Sequence, residues 1–156
     1  MIAMSHDIKQ LKPSKSSRYQ QGYIDVSSCK KLFPSLKHEK IIYRSSYEKK
    51  FMIWLESNPH VTHWASECIC IPYYYVVDKK THHYYPDYFV EFDDGRCVVV
   101  EIKPSSQTKQ PMVLNEDSYS YREYIKNRCK WKAAVEFCKA RGYDFKILTE
   151  HTVMKL

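Results

Sequence analysis

The chain has 156 residues, a length that suits one domain with a sizeable core. Apolar residues make up 44% of it and aromatic residues 15%, which excludes an intrinsically disordered protein. The sequence contains no run of about 18 apolar residues and no apolar segment near its start, so it predicts neither a membrane protein nor a secreted one.

The formal net charge is +7, and most of it lies near the N-terminus. Residues 1–40 contain eight Lys or Arg and three Asp or Glu, a local charge of +5. A basic segment with interleaved tyrosines is typical of nucleic-acid binding, although a soluble basic protein without such a partner fits the charge equally well. We expect residues 1–43 to form a basic, extended N-terminal arm with little regular structure, and residues 44–156 to form the folded domain.

The first predicted element is a helix. Ser45 and Glu48 have the spacing of a capping box, in which each side chain accepts a hydrogen bond from an unpaired N–H at the start of the helix. Apolar residues follow at helical spacing, and Asn58-Pro59 ends the run.

Three strands are expected after this helix. Residues 67–77 are rich in Ile, Tyr and Val but contain Pro72, which predicts a bent or edge strand. Residues 82–92 and 96–103 are predicted as two further strands, joined by the strong hairpin signal of residues 93–95. The last of the three has an uninterrupted apolar run, as expected of a strand that is buried on both faces.

A polar loop over residues 104–117 precedes a long predicted helix, whose apolar stripe runs from Tyr121 to Cys138 and which Gly142 ends. Residues 143–149 then form a final strand, placed to pair in parallel with the second strand of the hairpin. The order helix, three strands, helix, strand predicts an α/β (α+β) fold with a mixed central sheet flanked by helices.

The predicted hairpin brings two carboxylates and an amine together. Glu101 and Lys103 are two positions apart and therefore share one face of a strand. If residues 93–95 form a three-residue loop with Gly95 in the left-handed conformation, Asp87 lies directly opposite Glu101. A two-residue loop would separate the two carboxylates.

Facing carboxylates repel each other strongly unless one is protonated or a cation lies between them. A pair of oxygen ligands suits a hard cation, Mg²⁺ or Mn²⁺, and Lys103 is placed to orient a water that attacks a phosphate. An ordinary interpretation competes, because a Glu-x-Lys pair on an exposed strand and a Pro-Asp pair at a strand start are both common. The position of Glu101 directly after the buried apolar run favours a functional site.

This order of elements, with Pro86-Asp87 and Glu101-x-Lys103 on the central hairpin, resembles the PD-(D/E)xK nucleases, which have the restriction-endonuclease-like αβββαβ core. The resemblance covers residues 44–150. Five blocks in the same order resemble, more narrowly, the head-completion nucleases of contractile-tailed phages and the TnsA-like endonucleases. These blocks are residues 43–48, 64–67, 71–73, 85–88 and 100–104.

The resemblance implies Mg²⁺-dependent (or Mn²⁺-dependent) hydrolysis of DNA phosphodiester bonds. It implies Asp87 and Glu101 as principal metal ligands, Glu48 as a further carboxylate at the metal, and Lys103 as the catalytic lysine. For the phage group it implies processing of packaged DNA before tail attachment, with portal, head-completion or neck proteins as partners. The location would then be the host cytoplasm during assembly or the virion head and neck, with no membrane involved.

Several residues keep two interpretations. Glu48 is either a member of the site or only a member of the capping box. Glu67 is either an outer carboxylate of the site or a solvated strand start. Among Arg128, Lys130 and Lys132, either one side chain reaches the DNA or the active site, or all three belong to a solvated helix face.

Two further functions stay open from the sequence. One is a TnsA-like transposon-end endonuclease subunit, which usually carries an additional C-terminal DNA-binding domain. The expectation that this chain ends soon after its core argues against it. The other is a nuclease-derived structural protein of the phage neck with an idle site, and the presence of Asp87, Glu101 and Lys103 argues against that one.

Overall fold

The computed structural model describes residues 20–37 and 40–156. Two short 3₁₀ helices, Val26–Ser28 and Pro34–Leu36, lie between the first two strands. In chain order, the other elements are β1 (Gly22–Ile24), β2 (Ile41–Tyr43), α1 (Ser46–Ser57), β3 (Val61–Ser66), β4 (Ile71–Tyr75), β5 (Lys80–Tyr84), β6 (Tyr88–Phe92), β7 (Cys97–Ile102), α2 (Ser105–Thr108), α3 (Tyr119–Arg141), β8 (Asp144–Leu148) and α4 (Glu150–Val153).

A four-stranded mixed sheet forms the centre of the fold, with strand order β3–β6–β7–β8. The first three strands are antiparallel neighbours, whereas β8 is parallel to β7 because α3 carries the chain back between them. Val98, Val99 and Val100 are all buried, as predicted for a strand covered on both faces. The predicted α/β fold with an αβββαβ core is confirmed, its members being α1, β3, β6, β7, α3 and β8.

Both long helices have the predicted ends. The Ser45 side chain caps α1 by accepting a hydrogen bond from the Glu48 N–H, and Asn58 is the C-cap. Gly142 ends α3 with a φ of 70°, the left-handed conformation that glycine adopts without steric cost. No helix within residues 20–37 and 40–156 is both long and apolar enough to cross a membrane.

The first strand of the central sheet differs from the prediction. It is β3, whereas the segment predicted for that place, residues 67–77, contains β4, which pairs only with β5 in a separate hairpin. A register irregularity between Val61 and His63 disturbs the alternation in β3, and the adjacent Trp64 and Ala65 are both buried because both faces are covered. The sequence of β3 therefore lacks the alternation of apolar and polar residues that predicts a strand.

The single strand predicted over residues 82–92 is also wrong. The chain leaves the β4–β5 hairpin after Tyr84 and enters the central sheet at Tyr88. Pro86, between them, has no N–H for a strand ladder, which favours a break at this point. Pro72 lies in a two-stranded hairpin, in agreement with the predicted edge strand.

Residues 20–37 and 40–43 lie within the predicted arm, and here the expectation of little regular structure is wrong. Strands β1 and β2 pair with each other, and Leu32 is buried in the core. The Phe33 N–H donates to the Trp64 carbonyl at 3.0 Å, and the Trp64 N–H donates to the Lys31 carbonyl at 2.9 Å. The rest of the predicted arm, residues 1–19 and 38–39, lies outside the described residues, so an arm there stays a prediction.

Candidate active site

The β6–β7 hairpin has the predicted register. Gly95 adopts a left-handed conformation with a φ of 83°, and Tyr88 pairs with Val100. The next position outward on each strand is Asp87 on one side and Glu101 on the other. The turn chemistry therefore sets the two carboxylates opposite each other, because a shift of one residue would move one of them to the other face.

Asp87 is the centre of an unbalanced negative charge. Its Oδ2 atom accepts a hydrogen bond from the Ile102 N–H at 2.6 Å. Desolvation raises the pKa of the Asp87 carboxyl well above its ordinary value, and the charges of Glu101 and Glu48 raise this pKa further. Lys103 and the Ile102 N–H lower it only in part. A folded chain that keeps this arrangement needs a proton or a cation here.

Glu101 is buried, and both of its carboxylate oxygens have protein partners. The Tyr84 hydroxyl donates to Oε2 at 2.8 Å, and the Lys103 ammonium lies 3.3 Å from Oε1. Glu101 and Lys103 therefore share one face of the sheet, as predicted. No pattern in the sequence predicts the hydrogen bond of Tyr84 to Glu101, since Tyr84 comes from the separate β4–β5 hairpin.

Glu48 lies in the first turn of α1 and makes capping interactions. Its Oε2 atom accepts from the Arg44 N–H at 2.8 Å, and the Ser45 hydroxyl lies 3.3 Å from Oε1. Burial raises the pKa of Glu48. The side chain also lines a cleft of about 220 Å³ together with Lys103 and Arg44. Glu48 thus caps α1 and at the same time lies close enough to Asp87 for its charge to act on that carboxyl.

Arg44 is a cation of this region that the sequence analysis did not identify. Its guanidinium forms a two-point contact with the Glu67 carboxylate, with distances of 2.5 and 3.3 Å. Burial lowers the pKa of Arg44, but the pair with Glu67 and the charges of Glu48 and Asp87 together outweigh burial and raise this pKa. Glu67 therefore lies against the site as an ion-pair partner, in place of the exposed strand start that was one of its two interpretations.

Glu67 also connects this ion pair to Asp87. Its φ of 47° is unusual for a residue with a side chain, and its N–H donates to the Asp87 carbonyl at 3.0 Å. Glu67 thus binds the backbone of Asp87 through its own N–H and the Arg44 guanidinium through its side chain.

The carboxylates do not form a ready-made metal cage. Within residues 20–37 and 40–156, no three His, Cys, Asp or Glu side chains converge closely enough to hold a metal ion. Two carboxylates are held by other partners: Glu48 accepts a hydrogen bond from the Arg44 N–H, and Glu101 contacts Tyr84 and Lys103. The joint metal-ligand role of Glu48, Asp87 and Glu101 stays a prediction.

A family model of the TnsA-like endonuclease N-terminal domain matches residues 58–150, more than half of the chain. The chain belongs to the TnsA-like endonuclease family. In this TnsA-like endonuclease the matched range includes Asp87, Glu101 and Lys103, and Glu48 precedes it. The Head completion nuclease of Enterobacteria phage T4 is 34% identical to it over 120 residues, which cover 72% of this chain and 80% of that protein.

These similarities confirm the resemblance that the sequence motifs indicated, to TnsA-like endonucleases and to a phage head-completion nuclease. The TnsA-like endonuclease builds its candidate site from distant parts of the chain: the start of α1, the loop before β6, the end of β7 and the β4–β5 hairpin. Glu101 lies in β7, whereas Asp87 directly precedes β6 and Lys103 directly follows β7.

Proposed function

We propose that this TnsA-like endonuclease hydrolyses DNA phosphodiester bonds with the help of Mg²⁺ or Mn²⁺. Asp87, Glu101 and Lys103 form its active centre, and Glu48 is a further carboxylate of the site. One observation supports this above the others: Asp87 faces Glu101 across the hairpin, with its pKa raised, beside the ammonium of Lys103.

The chemistry of the donors fits a hard divalent cation. The candidate ligands are carboxylate oxygens, which Mg²⁺ and Mn²⁺ prefer, and the negative charges of Glu101 and Glu48 act on Asp87. Asp87 and Glu101 would hold the ion, and Glu48 would contribute after leaving its capping partner. When bound, such an ion supplies positive charge that stabilises the charge developing on the scissile phosphate.

The chain's own groups account for the remaining chemistry. Hydrolysis forms a bond between a water oxygen and phosphorus and breaks one phosphorus–oxygen ester bond. The attacking water loses a proton to solvent, and the departing ester oxygen takes a proton from solvent and leaves as a hydroxyl group. The Lys103 ammonium, 3.3 Å from Glu101 and only partly exposed, donates a hydrogen bond that orients this water or a phosphate oxygen. The Tyr84 hydroxyl fixes the Glu101 carboxylate in its orientation.

We place this activity in the completion of a phage head, where packaged DNA is processed before the tail attaches. The similarity to the Head completion nuclease of phage T4 supports this role. The partners are then DNA and the portal, head-completion or neck proteins, and the location is the host cytoplasm during assembly or the head and neck of the virion.

The test is a cleavage assay on linear and supercoiled DNA with Mg²⁺, Mn²⁺ or EDTA. We expect cutting by the wild type with either metal, no cutting in EDTA, and a loss of at least about 100-fold in Lys103→Ala. Lys126→Ala is the matched control, because Lys126 pairs with Glu123 away from this centre. An inert wild type, including in the presence of the portal or neck proteins, would favour an idle nuclease fold.

A further inference from the structure

Lys130 of α3 holds a partly buried charge, and none of the carboxylates in the described part of the chain forms an ion pair with it, although the charges of Glu101 and Glu123 act on it from further away. Its ammonium lies 5.5 Å from the centre of the Tyr84 ring and 5.9 Å from that of Tyr73. Among residues 20–37 and 40–156, no acceptor of a hydrogen bond and no ion-pair partner is found for this ammonium. Aromatic faces attract a cation weakly, and they do not replace the oxygen acceptors that three N–H donors need.

This lysine lies next to the candidate active centre. The Tyr84 ring below it donates its hydroxyl to Glu101, and Glu101 also contacts Lys103. The charge of Lys103 is the second cause, after burial, that lowers the pKa of Lys130. Two lysines from different elements thus approach the same carboxylate, although Lys130 forms no ion pair with it.

Lys126, one turn earlier on α3, also lies over a tyrosine ring, but it forms an ion pair with a carboxylate. Its ammonium lies 5.5 Å from the centre of the Tyr75 ring and 2.9 Å from a carboxylate oxygen of Glu123. The charge of Lys126 is thus satisfied within the protein, whereas that of Lys130 is not. A partly buried, unpaired ammonium is unfavourable unless an anion from outside completes it.

We propose that Lys130 is a phosphate-binding residue of the active site. Its ammonium donates hydrogen bonds to a non-bridging phosphate oxygen of the DNA backbone, at or next to the phosphodiester that is cut. Helix α3 thereby adds to the active centre a positive group that holds the strand in place. The proposal rests on the proposed function, since it names how the same site holds its substrate.

The test compares Lys130→Met with Lys126→Met in binding and in cleavage. Binding of a labelled DNA duplex is measured in EDTA over a series of NaCl concentrations. Loss of one phosphate contact reduces the slope of log K against log salt by about 0.9. We expect this change in Lys130→Met and an unchanged slope in Lys126→Met. With Mg²⁺ and saturating DNA, Lys130→Met should cleave about 10-fold more slowly or worse.

Folding is checked by circular dichroism, and Lys130→Gln replaces the Met variant if the latter does not fold. Lys130→Arg, which keeps the charge, should restore most of the binding and the slope. An unchanged slope in a folded variant overturns the proposal, as does a loss of stability alone, because Lys130 would then only offset the negative charge of the site. A wild type that binds DNA but cuts none, with the slope still reduced in Lys130→Met, refutes the hydrolytic function and leaves the phosphate contact standing.

Discussion

Helix α1 has a glutamate near each end, Glu48 in its first turn and Glu56 in its last. The Glu56 carboxylate accepts hydrogen bonds from three N–H donors: the Trp64 indole at 2.7 Å, the Lys30 backbone at 2.8 Å and the Lys31 backbone at 3.1 Å. Through these hydrogen bonds, Glu56 joins the backbone of Lys30 and Lys31 to the buried Trp64. At the other end, Glu48 adds its charge to that of Asp87 and Glu101, and the pKa of Asp87 rises.

The difference separates carboxylates that stabilise the fold from carboxylates that cost stability. Glu56 is surrounded by N–H donors, and its carboxylate oxygens accept hydrogen bonds that tie two segments of the chain together. Asp87 faces other carboxylates, so its ionised form is disfavoured until a cation arrives. An arrangement that costs stability is retained only where it serves a function, which is the physical argument for an active site at the Glu48 end.

The largest effect is expected at Asp87. Asp87→Asn keeps an acceptor for the Ile102 N–H but removes the charge that would bind the metal ion. Cleavage in Mg²⁺ should fall by more than about 100-fold, because even groups that only support metal ligands cost 10–100-fold. In EDTA the melting temperature should not fall, since one repelling charge has gone. Retained cleavage would remove Asp87 from the active centre, and a strongly destabilised variant would contradict the repulsion.

The opposite result is expected at Glu56. Glu56→Gln puts an NH₂ group where one oxygen accepted, so a donor of Trp64 or of the Lys30–Lys31 backbone loses its partner. The free energy of unfolding, measured by urea denaturation, should fall by about 2 kcal/mol. Cleavage per folded molecule should stay as in the wild type. The control Glu123→Gln breaks a helix-surface pair and should cost about 0.3 kcal/mol.

The dependence of stability on pH and metal sharpens the same comparison. The pKa of Asp87 is raised in the folded state and ordinary in the unfolded state, so between these two values the folded state binds more protons. The contribution of Asp87 to stability in EDTA should therefore increase as the pH falls through its folded pKa. Thermal denaturation over a pH series measures this as the difference between wild type and Asp87→Asn.

Mg²⁺ should raise the melting temperature of the wild type, and more so at higher pH, where Asp87 is ionised in the metal-free protein. Asp87→Asn should show little of this increase. An equal increase in both proteins would mean that the ion binds elsewhere.

The smallest effect is expected at Tyr84, whose hydroxyl donates to the buried Glu101. Tyr84→Phe removes one of the two partners of this carboxylate and leaves Lys103 in place. Loss of this hydrogen bond should cost about 1 kcal/mol of stability in urea denaturation. Tyr74→Phe, on the exposed side of the same hairpin, should leave stability unchanged. Equal stability of the two variants would show that Tyr84 does not hold Glu101.

Some parts of the fold and site could be predicted because their determinants are close together in the chain. Ser45 and Gly142 mark helix ends through their own hydrogen bonds and backbone conformation. Gly95 sets the turn of the β6–β7 hairpin, and the turn sets the register that puts Asp87 opposite Glu101. Each of these signals acts over a few residues, so no knowledge of the packing was needed.

Other parts depend on partners that are far apart in the chain. The sequence pattern does not predict strand β3, because covered faces and a register irregularity remove the period of two on which strand prediction depends. It also does not predict the break between β5 and β6, where the chain passes from one sheet to another. The contacts of Arg44 with Glu67, of Tyr84 with Glu101 and of Glu56 with Trp64 join different elements.

The sequence by itself thus determined the ends of the two long helices and the hairpin register that sets Asp87 opposite Glu101, since turn residues and spacing are properties of the chain. Only the tertiary structure decided which charges are balanced. It paired Glu56 with donors, left Asp87 among carboxylates and gave Lys130 no acceptor among residues 20–37 and 40–156, because burial and the distance between charges exist only once the elements have packed.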